Sequence, residues 1–307
     1  MTYIRDDVKA VVDMINAQPG PLMHEVDPAT ARQMYLAMVA ALEAPAAPLA
    51  RRKDLEAPGP AGPIPARLYQ AGVPGEAGPV IAYFHGGGWV IGGLETHDSL
   101  CAEIARLTGH TVVSFDYRLA PEAPFPAATE DCLAAARWLG TGPAVLGHRV
   151  SGLVLAGDSA GGNLAAAVAR ETRAELPLLA QWLIYPGVDM TASGGSLEAF
   201  AEGYLLTAAG MAWFLGHYRP DPMHPWASPL HAGDWAGLPP ALVFTCGLDP
   251  LRDQGRAYAA RLVSHGIRTI FREADGQVHG AMNARGAVPS AQKDLEGQVR
   301  DLLALLS

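Results

Sequence analysis

Short apolar runs alternate with helical segments along most of this chain. The runs beyond residue 79 are Val80–Phe84, Thr111–Phe115, Leu153–Ala156, Leu179–Tyr185, Ala241–Cys246 and Thr269–Arg272. Between most of them lie segments with helical patterning, such as Ala127–Leu139, Gly161–Arg173, Leu251–His265 and Ser290–Leu306. Strands that alternate with helices in this way form a parallel sheet with helices on both faces. The pattern therefore predicts an α/β fold.

The first part of the chain has a different pattern. Two helical segments come first, and the second has a clear start, because Asp27 can cap it and Pro28 suits its first turn. A stretch rich in proline and glycine follows and contains two predicted strands, Arg52–Ala57 and Ala66–Gln70. The regular alternation of strands and helices begins only after them.

The alternation breaks once, between Asp189 and Leu238, where no core strand is evident. Within this segment Thr207–Tyr218 has the apolar spacing of a helix. A segment inserted after a sheet strand usually lies over the carboxyl edge of the sheet, where open α/β sheets bind ligands. We therefore predict a helical cap made from two segments that are distant in sequence. The cap comprises residues 1–50 and 189–238, and the core comprises residues 51–188 and 239–307.

One predicted strand runs directly into Gly157-Asp158-Ser159-Ala160-Gly161 and then into a predicted helix. Glycines two residues before and two residues after the serine allow a turn so sharp that Ser159 projects from its tip. This strand–turn–helix context distinguishes a nucleophile elbow from a chance match to the pattern. A serine that only caps the helix is the alternative. The context favours Ser159 as a nucleophile.

A run of three glycines, His85-Gly86-Gly87-Gly88-Trp89, follows the predicted strand Val80–Phe84. Backbone N–H groups in such a run can point at a ligand oxygen without interference from side chains. We assign the donors of an oxyanion hole to Gly87, Gly88 and the residue after the nucleophile, Ala160. A phosphate-binding loop is the competing interpretation, but the run matches neither the dinucleotide-binding nor the P-loop pattern.

A serine nucleophile needs a base, and the base needs a group that orients it. Among the ten histidines, His279 follows the last predicted strand, where the hydrolase chain order Ser…Asp…His places the base. The strand before that one ends at the segment GLDPLRD, which contains Asp249 and Asp253. Asp249 is nearer the strand end, whereas we expect Asp253 to support the loop or to pair with Arg252. We therefore predict a triad of Ser159, Asp249 and His279.

The composition limits the partners of this chain. A formal net charge of −9 argues against nucleic acid and anionic membrane surfaces as main partners. No apolar run is long enough to span a bilayer, and the N-terminus has acidic residues where a signal peptide has basic ones. The three cysteines are far apart, lack the spacing of metal ligands and are expected to be buried thiols. We therefore expect a cytoplasmic protein without a metal site.

Six blocks of this sequence resemble those of the hormone-sensitive-lipase-like carboxylesterases, a family of the α/β-hydrolase superfamily. The blocks are YFHGGGWVIGGLETHD, DYRLAPEAPFPAATED, LAGDSAGGNLAA, LIYPGVD, WASPLHA and LPPALVFTCGLDPLRDQGRAYAARL. They occur in the family order, and Asp158 is typical of the GDSAG branch. The resemblance implies an α/β-hydrolase fold, with an eight-stranded, mostly parallel sheet and a helical cap. It also implies hydrolysis of short- to medium-chain acyl esters without a cofactor, and it matches Ser159, Asp249 and His279 to the triad.

Five residues are candidates for lining a substrate pocket beneath the cap, namely Trp89, Tyr204, Leu205, Met211 and Phe214. Ordinary core packing is the alternative for each of them. The same triad also serves amidases and lactonases, which stay open because these reactions differ only in the leaving group. A non-catalytic small-molecule receptor on the same fold is disfavoured, since such relatives lose the triad histidine. The family often forms homodimers through an edge strand, so the resemblance leaves open a homodimer that pairs near Thr269–Arg272.

Overall fold

Eight strands form a single sheet in the computed structural model, which describes residues 2–307. The strands are β1 (Arg51–Ala57), β2 (Ile64–Gln70), β3 (Ala77–Phe84), β4 (Thr111–Phe115), β5 (Arg149–Asp158), β6 (Leu178–Ile184), β7 (Ala241–Leu248) and β8 (Thr269–Val278). Their order across the sheet is β1-β2-β4-β3-β5-β6-β7-β8. β2 is antiparallel to both of its neighbours. All other neighbouring strands, in the sheet order β4-β3-β5-β6-β7-β8, are parallel to each other. The predicted α/β fold with a mostly parallel sheet is confirmed.

Helices cover both faces of this sheet. They are α1 (Asp6–Asn16), α2 (Pro28–Leu42), α3 (Leu94–Thr108), α4 (Ala127–Gly140), α5 (Ala160–Thr172), α6 (Ser196–Ala199), α7 (Ala208–Tyr218), α8 (Arg252–Ser264) and α9 (Pro289–Leu306). Alternate residues of β3 show the two faces. Val80 and Phe84 belong to the hydrophobic cluster that includes α4, α5 and α8, whereas Ile81 and Tyr83 belong to the cluster that includes α1, α3 and α9. A parallel strand with apolar residues on both faces needs this double cover.

The predicted helices agree closely with the observed ones, whereas β5 (predicted as Leu153–Ala156) and the last strand are longer than predicted. The predicted helices in α4, α5, α7, α8 and α9 match the observed bounds to within one residue at each end. The last strand is predicted to end at Arg272 but continues to Val278. The pairing of β7 with β8 shifts register beyond Cys246, so that Val278 pairs with Leu248. An irregular strand with charged residues at a sheet edge lacks the apolar run on which the prediction depends.

The two segments predicted as a cap consist of helices and turns. Residues 2–50 contain α1, α2 and a single turn at Met23–Glu25, and residues 189–238 contain α6, α7 and a turn at Pro229–His231. Asp27 caps α2 as predicted, because its carboxylate accepts hydrogen bonds from the amides of Ala29 and Thr30 at 3.0 and 3.1 Å. α7 contacts the Met23–Glu25 turn, so the two segments touch each other.

Three further observations concern the described residues as a whole. All three cysteines are buried free thiols. No helix between residues 2 and 307 has both the length and the apolar character needed to cross a membrane. The same residues contain no cluster of three or more His, Cys, Asp or Glu side chains that could hold a metal ion.

Candidate active site

Ser159 lies at the turn between β5 and α5. Its backbone φ of 55° is in the left-handed region, which a residue other than glycine seldom adopts. Two glycines make this turn possible. A Cβ on Gly161 would lie 1.9 Å from the carbonyl oxygen of Phe84, and a Cβ on Gly157 would lie 2.4 Å from the carbonyl group of Gly161. The first turn of α5 therefore packs against the backbone of β3, and Ser159 stands at the start of the helix.

Side chains from three separate loops meet at this turn. Ser159 Oγ donates to His279 Nε2 at 2.8 Å, and His279 Nδ1 donates to Asp249 Oδ2 at 2.8 Å. Ser159 follows β5, Asp249 follows β7 and His279 follows β8. These strands are parallel, so their carboxyl ends lie at one edge of the sheet. A hydroxyl bound to an imidazole that a carboxylate orients is the arrangement of an activated serine nucleophile.

The structure separates the roles of the two aspartates in the loop after β7. Asp249 is buried, and its Oδ1 accepts a hydrogen bond from the Leu251 amide at 2.7 Å, so both carboxylate oxygens are held. The carboxylate of Asp253 instead accepts from the Arg252 side chain and from the Ser196 amide, both at 2.9 Å. Asp253 therefore joins this loop to α6, while Asp249 faces the imidazole.

The glycine run after β3 presents free backbone donors. Gly87 and Gly88 have φ angles of 120° and 59°, in the region that favours glycine. A Cβ on Gly87 would lie 2.2 Å from the carbonyl oxygen of Ile91, so a larger residue does not fit there. Within residues 2–307 neither the Gly87 amide nor the Gly88 amide has a hydrogen-bond partner. Both N–H groups are therefore available to an acceptor on a bound molecule.

The buried carboxylate of Asp158 ties the glycine run to the turn that carries Ser159. Asp158 Oδ1 accepts from the Tyr83 hydroxyl at 2.8 Å and from the Gly86 amide at 2.9 Å, and it lies 3.2 Å from His97 Nε2. Burial acts to raise the pKa of Asp158, but the charge of His97 and these hydrogen bonds together hold that pKa below its ordinary value. Asp158 is thus an ionised group inside the protein. The sequence signal for it is an acidic residue at the end of an apolar strand, which needs buried partners.

The five predicted pocket residues differ in their surroundings. Phe214 of α7 packs on the glycine run, since a Cβ on Gly88 would lie 2.3 Å from the Phe214 ring. Trp89 is buried and stacks on Tyr218, with 4.4 Å between the ring centroids. The other three are half-buried, and they are Tyr204, Leu205 and Met211. Phe214 is therefore the candidate that directly covers the glycine run.

Tyr185 is a site residue that the sequence patterns miss. It follows β6, and its buried ring lies 4.7 Å from the His279 ring between centroids, at an angle of 54°. Its backbone φ is 36°, which is unusual for a bulky side chain. The ring packs against the imidazole and restricts its rotation. The available signal is positional, because Tyr185 directly follows a strand at the same sheet edge as Ser159, Asp249 and His279.

The chain is similar to known hydrolases over most of its length. A family model described as the alpha/beta hydrolase fold matches residues 81–283. The carboxylic ester hydrolase LipN of Mycobacterium tuberculosis is 43% identical over 242 residues, which are 75% of this chain and 64% of LipN. The matched part is thus less than two thirds of the length of LipN. The esterase LipI of the same organism is 40% identical over 273 residues, which are 85% of this chain and 83% of LipI.

Solved structures extend this similarity to nearly the whole chain. LAE6, an alpha/beta hydrolase enzyme from the metagenome of Lake Arreo in Spain, superposes with a TM-score of 0.94 at 37% sequence identity. The superposition covers 98% of each chain. The similarity therefore includes the predicted cap segments as well as the sheet.

Proposed function

The chain belongs to the alpha/beta hydrolase family, and on that premise we propose that it is a serine carboxylesterase with Ser159 as its nucleophile. It is a carboxylic ester hydrolase, as are LipN and LipI at 43% and 40% identity. The observation that carries the choice of nucleophile is the pair of 2.8 Å contacts made by His279, one with Ser159 Oγ and one with Asp249 Oδ2. The substrates are acyl esters of short to medium chain length.

Acylation begins when Ser159 Oγ attacks the ester carbonyl carbon while His279 Nε2 takes the hydroxyl proton. Asp249 stabilises the imidazolium that forms and keeps Nδ1 protonated. When the tetrahedral intermediate collapses, the bond from the carbonyl carbon to the alcohol oxygen breaks, and His279 gives the proton to that oxygen. Water then attacks the acyl-enzyme by the same route, which releases the carboxylic acid and restores the Ser159 hydroxyl.

The amides of Gly87, Gly88 and Ala160 hold the negative oxygen of the tetrahedral intermediate. The free N–H groups of Gly87 and Gly88 support this role. Ala160 is the first residue of α5, where backbone N–H groups lack an intrahelical acceptor and the helix dipole favours negative charge. Loss of one donor of this kind lowers the rate about 10²- to 10³-fold in comparable enzymes.

Residues 1–50 and 189–238 form a cap over the carboxyl edge of the sheet. The contact of α7 with the Met23–Glu25 turn and the packing of Phe214 on Gly88 support this division. The substrate pocket lies beneath the cap and is lined by the five predicted residues, namely Trp89, Tyr204, Leu205, Met211 and Phe214. Apolar lining of this kind suits the acyl and alcohol chains of small esters.

The enzyme acts in the cytoplasm on small esters, without a nucleic-acid or membrane partner. The net charge of −9 and the three buried free thiols support this part of the proposal. β8 is at the edge of the sheet, so it offers the strand through which two copies of the chain pair as a homodimer.

A stopped-flow assay with a short p-nitrophenyl ester tests the nucleophile. The wild type should give a burst of p-nitrophenol followed by turnover, and a fluorophosphonate should label Ser159. Ser159→Ala should lower kcat about 10⁴-fold or more, because the hydroxyl that forms the acyl-enzyme is gone. Ser151→Ala, at the other end of β5, is the matched control and should keep wild-type turnover.

Turnover of Ser159→Ala at the wild-type rate would remove the proposed nucleophile. The same assay with the matched p-nitroanilide separates the ester hydrolase from an amidase, since a carboxylesterase should show the higher kcat/KM on the ester. A higher kcat/KM on the anilide would contradict the substrate class.

A further inference from the structure

A chain of polar side chains connects the N-terminal helix α2 to the carboxylate of Asp158. Asn283 Nδ2 donates to Tyr35 Oη of α2 at 3.0 Å and lies 2.9 Å from His97 Nε2. His97 Nε2 in turn lies 3.2 Å from Asp158 Oδ1, which accepts the Gly86 amide. His97, Asn283 and Asp158 are all buried. We define these four side chains, from Tyr35 to Asp158, as the buried relay.

The buried relay joins three parts of the active site that are distant in sequence. Asn283 belongs to the single turn Ala281–Asn283, directly after His279 and Gly280. Its backbone N–H donates to the Gly280 carbonyl at 3.1 Å. His97 is in the first turn of α3. Asp158 precedes the nucleophile and holds the amide that opens the glycine run. A displacement of Asn283 would therefore move both the loop that carries His279 and the glycine run.

The proposed mechanism does not use Tyr35, His97 or Asn283, although His97 and Asn283 are buried polar side chains. The Asn283 side chain is 4% exposed, and within residues 2–307 its Oδ1 has no hydrogen-bond partner. A buried polar atom that lacks a partner destabilises the folded state, whereas leucine would fill a similar volume without this penalty. A buried polar network of this kind favours one arrangement of its members.

A second set of contacts fixes the end of α2 to the same loop. Glu43 and Arg285 form a buried ion pair at 2.9 Å, and Ser99 Oγ donates to the Ala44 carbonyl at 2.7 Å. A Cβ on Gly286 would lie 2.8 Å from the backbone of Glu43 and Ala44, so the two segments are in backbone contact. The loop after His279 and the end of α2 are therefore held together as a unit.

We propose that Asn283 is a positioning residue for the oxyanion hole, and that the buried relay couples the seating of α2 to the geometry of the glycine run. The Asn283 side chain packs against the His97 ring at Nε2 and keeps that ring beside Asp158. Asp158 in turn orients the Gly86 peptide, so that the next two amides point at the carbonyl oxygen. Tyr35 orients the Asn283 amide from the cap side. This inference rests on the proposed function, because the glycine run matters only if it binds the oxyanion.

Two single variants, their double variant and one control test the relay in the whole 307-residue chain. Asn283→Leu removes the central amide, and Tyr35→Phe removes only the hydroxyl oxygen from a half-buried ring. Gln298→Leu is the matched control. Gln298 is also a buried amide beside this loop, where it accepts from Trp182 Nε1 at 3.0 Å and donates to Met282 Sδ at 3.5 Å. Gln298 is outside the relay, so its loss should lower the melting temperature and leave kcat within about twofold.

The readouts are kcat, KM and the inhibition constant of a trifluoromethyl ketone, which adds to Ser159 and places its oxygen anion in the oxyanion hole. Asn283→Leu should lower kcat about tenfold and weaken the ketone by the same factor, while KM changes less than about twofold. Tyr35→Phe should lower kcat about threefold. The double variant should lose no more than Asn283→Leu alone, because both side chains act through one contact.

A kcat for Asn283→Leu equal to that of Gln298→Leu would overturn the inference, as would a loss of kcat with unchanged affinity for the ketone. If Asn283→Leu does not fold, Tyr35→Phe decides the matter, and a kcat within about 1.5-fold of wild type contradicts the relay. Failure of the proposed function has a different signature. In that case the wild type itself shows no Ser159-dependent burst, whereas failure of the relay leaves the wild type fully active.

Discussion

Residues with positive φ angles gather at the active site. Trp89, Ser159 and Tyr185 have φ angles of 61°, 55° and 36°, and they follow β3, β5 and β6. Such angles cost about 1–3 kcal/mol each in residues other than glycine and persist only where the surroundings hold them. The Ser159 amide donates to the Ile184 carbonyl at 2.9 Å, and the Tyr185 amide donates to the Phe244 carbonyl at 2.7 Å. The neighbouring strands therefore impose the conformations that orient the Ser159 side chain and the ring packed on His279.

His85 should make the stability of the protein depend on pH. Burial lowers the pKa of His85 to about 3, and its Nδ1 donates to the Gly86 carbonyl at 2.7 Å, so the folded protein keeps a neutral imidazole. The unfolded chain takes up the proton near pH 6.5, so this stability is present above that pH and is lost as pH falls toward 3. Between pH 7 and pH 5 the loss is about 2 kcal/mol.

Urea unfolding of wild type and His85→Asn at the two pH values measures this contribution. Asparagine keeps a donor for the Gly86 carbonyl but does not titrate. The free energy of unfolding of the variant should therefore decline about 2 kcal/mol less than that of wild type. Equal declines in the two proteins would show that His85 titrates alike in both states.

At the scale of elements, the position of Ser159 depends on how closely α5 approaches the sheet. Gly157 and Gly161 allow that approach, as their backbones contact each other and the Phe84 carbonyl. Glycine is therefore required at both positions because their backbones contact the neighbouring strand β3, and the conformation of the turn alone does not explain this requirement. α7 contains a glycine of the opposite kind. A Cβ on Gly216 would meet no atom within 4 Å.

Alanine at these two helical glycines should change stability in opposite directions. Gly161→Ala forces α5 away from β3 and should lower the free energy of unfolding by about 3 kcal/mol, with a loss of esterase activity. Gly216→Ala adds a methyl group in open space and should raise the free energy of unfolding by about 0.5–1 kcal/mol, because alanine favours the helix. Denaturant unfolding of both variants gives the comparison. A stable and active Gly161→Ala would contradict the close approach of α5 to the sheet.

At the scale of the whole molecule, the Glu43–Arg285 ion pair fastens the N-terminal segment to the core. The side chains are 7% and 2% exposed, so the pair is shielded from solvent. Burial raises the pKa of Glu43, although the charge of Arg285 acts against that rise. Arg285 also donates to Ser99 Oγ at 2.9 Å and to the Met282 carbonyl at 3.2 Å. One side chain thus connects α2, α3 and the loop after His279.

Removing one partner of this pair should be more harmful than removing both. Arg285→Met leaves the Glu43 carboxyl group buried without its cation and should lower the free energy of unfolding by about 3 kcal/mol or more. The double variant Glu43→Leu and Arg285→Met should recover part of that loss, because no buried charge remains. Urea unfolding of the wild type, Arg285→Met, Glu43→Leu and the double variant decides between these cases. Additive losses would show that the pair does not interact.

Much of this architecture can be predicted from local sequence signals. Apolar runs predict six of the eight strands, β3 to β8, and the glycine spacing around Ser159 predicts the turn that carries it. Asp249 and His279 can be chosen from the sequence because each follows a strand, and parallel strands end at one edge. The length of β8 could not be predicted in this way. Its last residues are irregular and partly charged, and their pairing depends on β7.

The sequence by itself determined the fold class, the order of the strands and helices along the chain, and the identity of the three side chains that meet at the sheet edge. The fold class and the order of elements depend on patterns of apolar residues and glycines that span only a few residues. The three side chains follow from these patterns together with the order of the strands along the chain. Only the tertiary structure decided that Tyr185 packs on His279 and that Tyr35, His97, Asn283 and Asp158 form one relay. Their contacts join residues far apart in the chain, and a buried polar group finds its partner only when the helices have packed on the sheet.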